Sequence, residues 1–387
     1  MLKKIRSKYI LSKIFKNIKN KRKLNIIKYN KELKSCLNIT LKDYKIYDSL
    51  KVFNNIYKLN IDGIDIKNLD LNAKFLGNNG FDYLIDLKFT DLSLLDLSSN
   101  SISYINSLEN ADLNKLKHLN LSNNQISNIY SFGNVKFKEL NTLNLRSNKI
   151  SDIYIFSSAN FKQLQDLNLS YNEISDINVM EKVNFPELQE LNLNNNKITD
   201  INVLEKVNFK KLKSLDLSGN GILDINVLGK VDFKELNKVY LSWNKIICIN
   251  ILENTNFKKL KILKLNNNII KDILVLSRVN FKELEILDLS NNRISDIRVL
   301  EKVDFNLLKE IYLSWNDISD LNVLERVNFK NLEVLDLVNN KFTDINSIER
   351  ANFGRLNSLD ISYNCINRAE NSPIINILKS KINNLAI

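Results

Sequence analysis

Apolar and polar positions follow one frame through most of the chain. In LQDLNLSYNEISDINVMEKVNF, leucines stand five and three residues before an asparagine, and isoleucines stand two and five residues after it. A further apolar residue follows eight positions on, then Phe at thirteen and Leu at sixteen. The asparagine itself recurs as Asn100, Asn124, Asn148, Asn172, Asn196, Asn220, Asn244, Asn268, Asn292, Asn316, Asn340 and Asn364, at an unbroken interval of 24. Self-similarity at a fixed period of this length predicts a solenoid rather than a globule.

Within each copy the LxL triplet, as in Leu167 and Leu169 or Leu287 and Leu289, alternates with period two. It predicts a short strand with one buried face, and stacked copies predict a parallel sheet. The asparagine follows where the chain bends inward. Its amide carries donors and an acceptor, so it can satisfy backbone groups that stacking hides from water. Each such group left unpaired would cost roughly 1–3 kcal/mol. Twelve asparagines in register are therefore expected to form a structural ladder. The Ile columns and the Phe column (Phe137, Phe161, Phe185 and onward) are expected to fill the interior. Stretches such as VLEKVNFKELK suit short helical or irregular segments on the outer side.

This pattern, LxxLxLxxNxIxxI, resembles the leucine-rich repeat family over roughly residues 84–370. The resemblance implies an α/β solenoid, a curved horseshoe or arc with the parallel sheet on its concave face, usually with a partner bound there. It implies no reaction. Around it, residues 52–83 read as a degenerate opening repeat in which Ile64 takes the ladder place after Leu59 and Ile61. Residues 371–387 read as a capping helix opened by Pro373, with Ile374, Ile377, Leu378 and Leu385 on one face.

Charge changes the picture only when it is divided. The chain carries a formal net charge of +12 over 387 residues. Residues 1–51 alone carry 16 Lys or Arg against Glu32, Asp43 and Asp48, a net +13, leaving −1 for the rest. Nucleic-acid binding along the solenoid is thereby disfavoured. The basic head shows two helical patterns, Leu11, Ile14, Phe15 and Ile18, then Leu24, Ile27, Leu33 and Leu37. It reads first as a helical cap over the open end of the stack. Its layout also resembles an F-box, the module that docks on the adaptor of cullin ubiquitin ligases, though it lacks the early Leu-Pro pair and the late Trp. That resemblance implies adaptor docking through Leu11, Ile14, Phe15 and Leu24. A Lys-rich targeting helix ranks third, because Lys19, Lys21, Arg22 and Lys23 cluster in the gap between the patterns.

Two copies depart from the polar norm, VYLSWNKI and IYLSWNDI, three repeats apart. Tyr240 and Tyr312 lie between buried strand residues and are expected on the concave face; Trp243 and Trp315 precede the ladder asparagine at its edge. Lys264 and Asp288 share the tyrosine column between them, Asp336 continues it, and Tyr171 and Tyr363 extend the edge column. Large rigid rings on such a strip suit the anchors of a protein interface. Duplication of an ancestral repeat would also produce matching copies without selection for binding.

Other chemistry finds little support. His118 is the only histidine, no Ser or Cys partner stands out, the cysteines lack CxxC spacing, and GNNG at 77–80 lacks a phosphate-loop Lys. No cofactor or metal is expected. No apolar run reaches the 18 or so residues of a membrane span. Three scattered cysteines, Cys36, Cys248 and Cys365, suit a reducing, cytoplasmic or nuclear setting. The expectation is a non-catalytic scaffold that binds a protein partner on its concave face. The alternatives are a substrate receptor of a cullin ubiquitin ligase, or a regulatory subunit of a phosphatase or another enzyme.

Overall fold

The computed structural model describes residues 67–85, 89 and 91–387. They build one sheet of 14 parallel strands in sequence order. The strands are β1 (Asn68–Asp70), β2 (Leu94–Asp96), β3 (His118–Asn120), β4 (Thr142–Asn144), β5 (Asp166–Asn168), β6 (Glu190–Asn192) and β7 (Ser214–Asp216). They continue as β8 (Lys238–Tyr240), β9 (Ile262–Lys264), β10 (Ile286–Asp288), β11 (Glu310–Tyr312), β12 (Val334–Asp336), β13 (Ser358–Asp360) and β14 (Asn384–Ala386). In each of β2 to β13 the middle residue is buried and its neighbours face outward, as the alternation predicts. Like columns pair across the sheet, Leu119 beside Leu143 and Leu143 beside Leu167.

Opposite the sheet the chain returns through single 3-10 turns, such as Asn202–Glu205 and Leu274–Ser277. Their buried Val and Leu residues close the interior. Between turn and strand lies a row of buried rings: Phe137 stacks on Phe161 at 6.4 Å between centroids, and Phe161 on Phe185 at 6.3 Å. Each ring contributes roughly 1.5–3 kcal/mol by leaving water. Because the sheet pairs and stacked rings run to the adjacent copy, no copy holds its core alone. Ion pairs between successive copies, such as Arg326 to Glu301 at 2.7 Å, are solvent-exposed and add little.

Both ends differ from the sequence reading. A copy does precede residue 84, within the segment that reads as a degenerate opening repeat, but in another register: its strand is β1, where Leu69 and Leu71 are buried and Lys74, not Ile64, stands at the ladder position. Lys74 and Leu76 both donate backbone N–H bonds to Asn100 Oδ1, at 3.0 and 3.2 Å. A true helix, α1 (Gly77–Ile85), replaces the 3-10 turn here, and the pairing interval widens to 26. That insertion puts the copy out of the register set by a constant period. The residues placed in this copy by pattern, Leu59, Ile61 and Ile64, lie outside the described residues, as does the whole basic head with Leu11, Ile14, Phe15 and Leu24.

At the far end the last repeat turn is a short helix, α2 (Asn346–Arg350), and α3 (Ser372–Lys381) follows with Pro373 in its first turn. The segment 371–387 is not helical throughout. After α3 the chain forms β14, which pairs Leu385 with Leu359 and extends the sheet by one strand. Ile375 and Leu378 form the buried face of α3, whereas Ile377 is exposed. Leu385 matches the helical face in sequence because a short apolar run fits either period.

Candidate functional site

The open face of the sheet is set by the strand register. The third residues of β8 to β12 form one continuous row, Tyr240 beside Lys264, Lys264 beside Asp288, Asp288 beside Tyr312 and Tyr312 beside Asp336. The structure thus brings five of the eight expected contact residues side by side. Parallel strands lie about 4.8 Å apart, so the two tyrosines are separated by about 14 Å. Trp243 and Trp315 stand at the strand exits beside this row, 65% and 59% exposed. Tyr171 belongs to the same exit column but lies three strands away, beyond β6 and β7.

The exit column has a backbone feature that the periodic reading did not use. Its residues adopt the left-handed region: φ is 54° at Asn123, 57° at Asn267, 56° at Trp243, 55° at Trp315 and 56° at Tyr171. The turn is imposed by bonding, since Trp243 N–H donates to Asn266 O at 2.9 Å and Trp315 N–H to Val338 O at 2.7 Å. Asparagine and glycine tolerate such a φ, and Gly219 takes this place in one copy. A tryptophan does not do so readily, and the penalty is about 1–2 kcal/mol. Two rings that stay mostly in water do little to offset it. The recurring Asn, Ser and Gly at this column were the signal from which the left-handed turn could have been read.

The face is acidic. From β5 to β13 the outward positions of the strands carry Asp166, Glu190, Asp216, Asp288, Glu310, Asp336 and Asp360, against Lys238 and Lys264. Burial beside Glu190 pushes the Asp166 carboxyl up to about 6. Burial, then the nearby Asp360 and Asp288, also raise Asp336. The Tyr312 hydroxyl donates to Glu310 Oε2 at 2.8 Å, and burial together with Glu310, Asp288 and Asp336 raises its pKa. Tyr240 is raised by burial, Asp216 and Glu190. Each tyrosine therefore sits among carboxylates that no cation of the face fully offsets.

One ring of the exit column already has a cation on it. The Arg146 guanidinium lies 4.1 Å from the centroid of Tyr171. Arg146 leaves the strand of the preceding copy, and the equivalent places before Trp243 and Trp315 hold Ser218 and Ser290.

The ladder residues lie beneath this face. Asn244 donates through Nδ2 to the carbonyls of Leu217 at 3.0 Å, Leu241 at 3.1 Å and Ser242 at 3.2 Å, and its Oδ1 accepts from Ile222 N–H at 3.0 Å. Asn148, Asn172, Asn292, Asn316 and Asn340 repeat the same set within a few tenths of an ångström. Each side chain thus joins its own turn to the copy before it. Asn100, Asn124, Asn196, Asn220, Asn268 and Asn364 likewise bond to carbonyls of two copies.

Pattern reading missed an apolar patch on the flank. Leu223 and Ile247 are 55% and 56% exposed in successive copies at a column otherwise mostly Ser or Thr. Among the described residues no group of three or more His, Cys, Asp or Glu side chains is placed to hold a metal ion. No described helix is long and apolar enough to cross a membrane.

Leucine-rich repeat models match residues 115–135, 138–198, 186–230 and 283–301. A comparison with curated proteins found no match. Among solved structures, the chain is similar to the internalin InlF of Listeria monocytogenes, with 26% identity, 76% of this chain and 87% of that one covered, and a TM-score of 0.63. A leucine-rich repeat protein of Leptospira interrogans shares 22% identity over 85% of this chain and 97% of its own, with a TM-score of 0.60. The functional domain of InlJ from Listeria monocytogenes, which includes a cysteine ladder, shares 20% over 77% and 68%, with a TM-score of 0.50.

Proposed function

We propose that this chain, a member of the leucine-rich repeat family by its matched repeats, is a non-catalytic scaffold that holds a protein partner on the concave face between β8 and β12. The observation that carries the location is the pair of tryptophans, exposed and held in left-handed backbone. A strained residue that weakens the fold and gains little burial is accounted for by contact with something outside the chain. Tyr240 and Tyr312 supply the floor, Lys264, Asp288 and Asp336 the polar surround, and Tyr171 the far margin. Within this reading the chain works in a reducing compartment, where exposed Cys248 and Cys365 remain free thiols.

The experiment is capture of partners from the native cells with the wild type and with the combined Tyr240→Ala, Trp243→Ala, Tyr312→Ala, Trp315→Ala variant. Circular dichroism establishes that both are folded. Loss of a specific partner from the folded variant supports the reading. Recovery of the same partners in the same amounts removes it.

A further inference from the structure

The reading above leaves the chemistry of the partner open, and the sheet face constrains it. Three observations converge. The face around each aromatic pair is acidic, with Glu190 and Asp216 acting on Tyr240, and Asp288, Glu310 and Asp336 acting on Tyr312. The two pairs repeat one arrangement, since Asp216 is the cross-strand neighbour of Tyr240 as Asp288 is of Tyr312. Finally, the exit column shows what its rings accept: Arg146 covers Tyr171, while Ser218 and Ser290 leave the same place open beside Trp243 and Trp315.

We propose that the concave face takes an extended, arginine- or lysine-rich segment of a partner protein, with one cationic side chain over each tryptophan, as Arg146 lies over Tyr171. This rests on the concave-face reading and adds the partner's charge and spacing. A cation over an indole face gains from the ring quadrupole, and the neighbouring carboxylates add a Coulomb contribution. The spacing follows from the sheet. Three strand steps span about 14 Å, and an extended peptide advances about 3.4 Å per residue, so the two cationic residues are four apart. An Arg-x-x-x-Arg segment crossing the strands meets both sites. Asn267 and Asn291 lie between the two tryptophans in the exit column, and Lys264 stands on the strand that leads to Asn267, so uncharged residues fit the middle of the segment better than further arginines.

The chain has two tryptophans, and they are the two proposed anchors. Intrinsic fluorescence therefore reads each site once the other is changed to Phe. The full chain, Trp243→Phe and Trp315→Phe are titrated with a capped Arg-Ser-Ser-Ser-Arg peptide in a Gly-Ser context, with its Gln-Ser-Ser-Ser-Gln counterpart, and with versions that shorten or lengthen the spacer. Both tryptophans should respond with one affinity to the four-residue spacing, and replacing either arginine should weaken binding by about threefold or more. Binding should also fall as ionic strength rises from about 0.01 M to about 0.1 M, where the screening length shrinks from roughly 30 to 10 Å. Ser290→Arg should place an internal guanidinium at Trp315 and abolish the peptide response of that residue while sparing Trp243.

Equal binding of the glutamine peptide would overturn the cationic assignment and leave concave docking standing. No response to any peptide would also overturn it, and partner capture would then decide the docking reading separately. If salt alone, without peptide, shifted both emissions, the chain's own basic head would be the occupant, and the assignment to a separate partner would fall.

Discussion

Removing one rung of the asparagine ladder gives a magnitude that follows from its bonds. In Asn244→Ala three donated bonds and one accepted bond disappear. Their losses are unequal. The Leu217 carbonyl keeps Asn220 Nδ2 at 3.0 Å, the Leu241 carbonyl keeps Asn268 Nδ2 at 2.9 Å, and the Ser242 carbonyl keeps Gly219 N–H at 2.8 Å. The Ile222 N–H has no such second partner among the described bonds, and Ile222 is wholly buried. An orphaned buried donor costs about 1–3 kcal/mol, and the three weakened carbonyls and the small void add to it. A loss of about 2–4 kcal/mol is expected. Urea unfolding of Asn244→Ala against the wild type measures the total, and amide exchange locates it. The Ile222 amide should exchange much faster, with its neighbours in the same copy following and amides of remote copies nearly unchanged. Asn244→Asp keeps an acceptor for Ile222 N–H, so that amide should stay more protected than in the alanine variant. A stability loss below about 0.5 kcal/mol, or an Ile222 amide as protected as before, would refute the unequal-bond argument.

Other positions give independent checks. Trp243→Asn and Trp315→Asn exchange a strained, exposed ring for a residue that tolerates left-handed backbone, so each should raise stability by up to about 1–2 kcal/mol in urea unfolding while abolishing partner capture. Gly219→Ala should destabilise, because φ is +64° and the added Cβ would stand 2.6 Å from Asn195 Oδ1; an unchanged midpoint would show that the copy absorbs it. Asp166 is raised from 3.8 to about 6 by burial and Glu190. Its protonated form favours the folded state, so its contribution is full below about pH 4 and is lost as pH rises through about 6. Asp166→Asn should therefore raise thermal stability most at neutral pH and converge with the wild type in acid. A constant difference across that range would count against the shift.

The sheet was legible because its cause is periodic. One asparagine and two aliphatic strand residues per copy recur without a gap from Asn100 to Asn364, and each column has a single environment in the stack. Where the environment changes, the pattern failed. Lys74 takes the ladder place in the first described copy, and α1 lengthens that copy, so a constant interval sets the opening repeat on Leu59, Ile61 and Ile64 instead of on β1. Leu385 was assigned to a helix because three or four apolar residues near a terminus fit both periods, and pairing with Leu359 decides the matter only in three dimensions. The aromatic row was visible as two matching octets, but its backbone state was not read, although Asn123, Asn195, Asn267 and Gly219 marked the column. Summing charge over whole copies gave near neutrality and concealed the acidic face, because lysines gather on the outer side while Asp216, Asp288, Asp336 and Asp360 share one sheet column.

The central claim is that the partner sits on the sheet face at Trp243 and Trp315, and the direct measurement is site-specific photo-crosslinking in the native cells. A photoreactive side chain is introduced singly at Trp243, Trp315, Tyr154 and Leu274, the last two being exposed positions on the return turns. One crosslinked partner is expected from both sheet positions and none of that species from the turns. Crosslinking to that partner from Leu274 or Tyr154, with none from Trp243 or Trp315, would contradict it.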